Sequence, residues 1–172
     1  MKQVLSAVAI SLLLASSAMA QEKAGDPDMA AAAMKVETPK FVEMVASSNM
    51  LEIESSKLAE KKSKDEDIQA FAKHMIKDHT KAGEDLKATG QTPPIKYAPK
   101  HAAMMKLLEN AEGKDFDALY IDMQTQAHME AVMLFRTYAG SGDDEKVVAF
   151  AKNTLPALEM HMDHIKKIVA KK

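Results

Sequence analysis

Helix-breaking residues divide this chain into four long stretches, none with strand alternation, and that spacing constrains the fold more than any other feature. Thr38-Pro39 reads as a helix start, Thr as N-cap and Pro in the first turn, where its missing N–H costs nothing. Ser63 and Glu66 fit a capping box for a second helix. Gly90 and Pro93-Pro94 stop that helix, Gly113 ends a short one, and Gly140-Ser141-Gly142 turns the chain once more. The predicted helices cover 38–61, 64–89, 114–139 and 143–170, with a short one over 99–112. Pro156 lies inside the last of them and is expected to kink it. Four such helices with short or moderate connections predict an all-α four-helix bundle, with an extra short helix between the second and third.

Residues 1–20 are a different material. Lys2 is followed by the apolar run VLSAVAISLLLA and the small-residue end SSAMA, which reads as a secretory signal peptide cleaved after Ala20. The apolar run falls short of the roughly 20 residues a spanning helix needs. Residues 21–37 read as a flexible, Ala-rich lead-in, and 38–172 as the bundle domain. No later segment has transmembrane character, so the expected location is periplasmic. Cysteine is absent, which excludes disulfides, thiolate nucleophiles, iron–sulfur clusters and covalent c-type haem. Loss of the leader removes Lys2 and leaves 22 basic against 25 acidic side chains, a net charge of −3. Those charges are interspersed along helices and form no basic patch with aromatics, so nucleic acid is not an expected partner. Protein partners and oligomeric state stay open.

Projection at 100° per residue finds one apolar stripe on each long helix. His79 lies in the stripe of Ile68, Phe71, Met75 and Leu86, whereas His74 falls on its flank. His161 lies in line with Val147, Ala151, Leu158 and Ile165, while His164 points away near a right angle. His128 aligns with Ile121, Val132 and Phe135. Glu52 falls among Phe41, Val45, Ser48, Ser55 and Ala59. Each long helix therefore turns one strongly hydrogen-bonding residue inward, and a bundle interior must satisfy all four.

The segments FVEMVASSNMLEIESSKLAEKKS, IQAFAKHMIKDHT, FDALYIDMQTQAHMEAVMLF and LPALEMHMDHI together span 41–168. They resemble the exported bacterial family called domain of unknown function 4142, placed among ferritin-like bundles. The resemblance implies an up-down-up-down bundle and export, and it maps the family's recurrent polar positions onto Asp78, His79, His128 and His161. It implies little about activity. Di-iron bundles use Glu-x-x-His pairs, and none of the six histidines here has a glutamate three residues before it.

Two readings of the inward residues stand. In one, His79, His128 and His161 bind a transition metal, with Glu52 or Asp78 as a fourth ligand. Three imidazoles and a carboxylate suit iron, zinc, nickel or copper. In the other, the same histidines form a buried network with Glu52, Ser48, Ser55, Gln124 and Thr154 that sets helix register. The 12 methionines of the mature chain suit copper(I) as soft ligands, but equally fill helical cores. A haem would find only five Phe and three Tyr to wall it, and no serine sits in a nucleophile-elbow context. The expected role is a non-catalytic, stress-related envelope protein. The rival is a metal-dependent oxidase or peroxide-handling enzyme, or a copper- or iron-binding protein, using the same cluster.

Overall fold

The computed structural model describes residues 35–171, whose regular structure consists of five helices. These are α1 (Thr38–Lys62), α2 (Glu66–Ala88), α3 (Pro99–Asn110), α4 (Gly113–Ser141) and α5 (Glu145–Val169). The signal-peptide reading and most of the lead-in fall outside the described residues. Among those described, no helix is long and apolar enough to cross a membrane.

The four long helices close a ring in which α1 packs on α2 and α4, and α5 packs on α2 and α4. Every neighbouring pair is antiparallel. Thr38 at the start of α1 bonds Tyr138 at the end of α4, and Ser56 bonds Tyr120 near the start of α4. Asp67 at the start of α2 pairs with Lys171, just past the end of α5. The helix directions are therefore up, down, down, up, which corrects the expected up-down-up-down order. The physical cause is the crossover over 89–112. It carries the chain back along the bundle, with α3 packed on α1 and α4, before α4 begins. Lys62, at the end of α1, holds the end of that crossover by donating to the carbonyls of Glu109 and Ala111.

Helix ends follow the predicted breakers within about two residues, as boundary reading allows, but two caps differ. Asp65, not Ser63, caps α2, its carboxylate accepting from the Ile68 N–H at 3.1 Å. Ser63 is the C-cap of α1, and its hydroxyl accepts from the Asp65 N–H. Glu37 takes the N-cap place at α1, because the Thr38 hydroxyl is committed to Asp143 and Tyr138. α5 runs unbroken through Pro156.

The core falls into two apolar clusters. One gathers Leu51, Phe71, Met75, Phe116, Tyr120 and Ile165, the other Phe41, Val45, Phe135, Tyr138, Val147 and Leu158. Along α2, α4 and α5 the change from one cluster to the other comes at a histidine: His79, His128 and His161. On α1 it comes just before Glu52. Burying a residue such as Phe or Leu contributes about 1.5–3 kcal/mol. A polar layer gives up that gain and must recover it through bonds.

Candidate metal centre

His79, His128 and His161 come together at the middle of the bundle, all buried, with one ligand atom from each within 4.8 Å of the others. Their ring centroids lie 5.7, 5.4 and 5.3 Å apart. An imidazole bound to a metal at about 2.0 Å puts its centroid about 3.2 Å from the ion, so tetrahedral imidazoles keep their centroids about 5.2 Å apart.

Each ring is oriented from behind by an acceptor. His79 Nδ1 meets Glu52 Oε2 at 2.8 Å and Asn49 Oδ1 at 3.0 Å. His128 Nδ1 meets the backbone carbonyl of Gln124 at 2.9 Å. His161 Nε2 meets Asp78 Oδ2 at 2.9 Å. A carbonyl or carboxylate oxygen only accepts, so the proton of each neutral ring must sit on the nitrogen facing it. The other nitrogens, His79 Nε2, His128 Nε2 and His161 Nδ1, are left as bare lone pairs. His128 Nε2 and His161 Nδ1 lie 3.3 Å apart, and His79 Nε2 is buried with no hydrogen-bond partner. Two ligands at about 2.05 Å and a tetrahedral angle stand about 3.3 Å from each other.

Burial works against charge on two of these rings. Burial depresses the pKa of His128 against the pull of Glu52. Burial also takes His161 down to about 4, although the Asp78 bond favours its charged form. For Glu52, burial works to raise the pKa, but neighbouring His79 and His128 outweigh it and hold the carboxyl well below its usual range. The layer thus contains one ionised carboxylate, with His128 and His161 biased by burial toward their neutral forms.

Of the expected residues, the three histidines bring one ligand atom each within 4.8 Å of the others, while Glu52 meets His79 Nδ1 at 2.8 Å and Asp78 meets His161 Nε2 at 2.9 Å. Ser48 reaches Glu52 at 3.3 Å and Ser55 accepts from the Gln124 amide, so both belong to the surrounding network. Thr154 instead lines a cavity beside Glu52. His74 is exposed and His164 is half-buried on the edge of Phe71, in keeping with the helical projection. Sequence reasoning missed Asn49, one turn before Glu52, whose place on the inner flank of α1 is its only signal. It also missed Ser47, which holds His101 of α3 at 2.7 Å.

Fold and site together define an all-helical bundle with a buried histidine cluster able to hold a metal ion. The chain belongs to the family described as a domain of unknown function, DUF4142, which it matches over residues 15–168. No curated protein matches the chain. A solved structure described as CopM in the Cu(II)-bound form shares the fold, with TM-score 0.67 at 16% identity over 80% of this chain and 98% of that one.

Proposed function

We propose that this protein is an exported, periplasmic, ferritin-like bundle that binds one transition-metal ion through His79 Nε2, His128 Nε2 and His161 Nδ1. The observation that supports the reading is the meeting of three buried histidines, one ligand atom of each within 4.8 Å of the others, with His128 Nε2 and His161 Nδ1 3.3 Å apart and His79 Nε2 buried without a hydrogen-bond partner. A register-setting network would pair donors with acceptors; here the acceptors behind the rings consume every donor. Glu52 and Asp78 act as orienting partners that raise imidazole basicity. Three neutral imidazoles suit copper, zinc or iron, and the general order of divalent affinities favours copper(II). The copper-bound state of the structural relative is in keeping with that choice. The single long crossover of the bundle supports the ferritin-like class. Export rests on the leader-like residues 1–20. Binding of the metal, in an envelope role tied to metal stress, is the function proposed.

The test is elemental mass spectrometry of untagged protein recovered from the periplasm, followed by titration with copper(II), zinc(II) and iron(II). The expected result is one ion per chain, lost in the His79→Ala/His128→Ala/His161→Ala variant. Wild-type protein that takes up none of the three ions overturns the reading.

A further inference from the structure

Gly83 lies inside α2, one helical turn after His79. A glycine within a helix is destabilising relative to alanine, because it loses more backbone freedom on folding. Positive φ is confined, among the described glycines, to Gly90 and Gly113, so the backbone at Gly83 gives no reason for glycine. The space beside it does. A Cβ on Gly83 would stand 3.1 Å from Asn49 Nδ2 of α1, tighter than ordinary van der Waals contact. The other end of that amide is already engaged: Asn49 Oδ1 meets His79 Nδ1 at 3.0 Å, beside Glu52 Oε2 at 2.8 Å from the same nitrogen. Gly83, Asn49 and His79 thus form a closed circuit between α1 and α2. Among the described residues, His79 is the one core ring with two acceptors this close to a single nitrogen.

Resting on the metal-binding reading above, we propose that Gly83 and Asn49 are positioning residues for His79: the missing side chain at 83 makes room for the Asn49 amide, and the amide fixes the ring that would bind the ion. Glu52 alone is poorly placed to do this. Its carboxylate also receives the Ser48 hydroxyl at 3.3 Å and lies 4.0 Å from His128 Nδ1, so it is shared across the layer. One acceptor lets a ring swing about its hydrogen bond, whereas two acceptors flanking the same N–H define its plane. Neither Asn49 Oδ1 nor an ionised Glu52 can donate, so together they keep the proton on Nδ1 and leave Nε2, which is buried without a partner, for a ligand bond. A methyl group at 83 would push the amide by a few tenths of an ångström and turn it from His79. Packing and site then pull in opposite directions at this position: alanine is the better helix former but the worse neighbour for Asn49.

The test uses full-length protein carrying Gly83→Ala, Asn49→Ala or both. Copper(II) affinity is read by competition with a chromophoric chelator. The tautomer of the His79 ring is read in metal-free protein, at neutral pH, from the NMR shifts of its two nitrogens. Each single substitution is expected to weaken copper(II) affinity by about tenfold, as loss of an orienting partner does elsewhere. The double variant is expected to be no weaker than Asn49→Ala, because Gly83→Ala acts through the amide. Gly83→Ala is also expected to move the His79 nitrogen shifts while leaving the urea midpoint of metal-free protein unchanged or raised, a combination that a purely structural role does not produce. Asn49→Ser serves if Asn49→Ala does not fold. Unchanged affinity and unchanged ring shifts in Gly83→Ala overturn the proposal and leave the metal site standing, and so do losses that simply add in the double variant. Wild-type protein that takes up no copper(II) overturns the metal-binding reading instead. The ring shifts then decide alone: movement in both single variants upholds the placement of His79 by Gly83 and Asn49, and no movement overturns it.

Discussion

His128 Nε2 and His161 Nδ1 face each other across 3.3 Å, each with its proton held on the opposite side of its ring by Gln124 and Asp78. Two acceptors at that distance repel unless a cation or a donor stands between them. The metal-free layer is thus arranged at a cost, and a bound ion relieves it. The same relation gives the site measurable consequences.

The orienting carboxylates are expected to matter without touching the ion. Glu52→Gln leaves a side chain whose amide can turn a donor toward His79 and disturb its tautomer, and Asp78→Asn does the same at His161. Each is predicted to weaken metal affinity by about 10- to 100-fold, as losses of such partners do elsewhere. Competition titration against a chromophoric chelator reads this. Affinity unchanged in both variants would show that the carboxylates do not tune the site.

Metal binding is expected to stabilise the folded chain by mass action. At a free-metal concentration a hundred times Kd, the gain is about 2.7 kcal/mol, or about 9 °C in Tm for a domain of this size. Differential scanning calorimetry with and without copper(II) measures it. The shift is predicted to vanish in the triple histidine variant and to persist in His164→Ala, since His164 is half-buried on Phe71, outside the layer.

Acid is expected to destabilise the metal-free protein earlier than its carboxylates alone would. His161 titrates near 4 in the folded chain, chiefly through burial, against its ordinary 6.5 when unfolded. Between those values the unfolded chain binds more protons, so stability falls as pH drops from about 6.5 to about 4. Burial of His128 acts in the same direction, and the low pKa of Glu52 adds a further loss at still lower pH. Urea midpoints of metal-free protein at pH 7, 5.5 and 4.5 are predicted to decline, with a shallower decline in His161→Gln. A flat profile across that window would contradict buried, neutral histidines.

The start of α2 gives a prediction away from the site. Asp65 accepts the Ile68 N–H, so Asp65→Ala is expected to cost about 0.5–2 kcal/mol. Denaturant unfolding of the metal-free protein reads it. A change below the error of that measurement would show that the first turn of α2 does not depend on this cap.

The sequence by itself determined the helices, because breakers and apolar periodicity act within one or two turns. His79, His128, His161 and Glu52 fall on inward faces for that local reason, and all four are buried. Only the tertiary structure decided how the helices run. A crossover over 89–112 is long enough either to turn back locally or to span the bundle, and its packing through Lys62 and α3 selects the span. Tertiary structure also decided that the three histidines share one depth. Helical periodicity specifies a direction around each axis but no height relative to another helix. The height is set by contacts such as Thr38 with Tyr138 and Asp67 with Lys171, made between residues a hundred or more positions apart. The same register puts Glu52 and Asp78 behind the rings rather than among the free nitrogens, because each helix brings its carboxylate to the outer edge of a neighbouring imidazole.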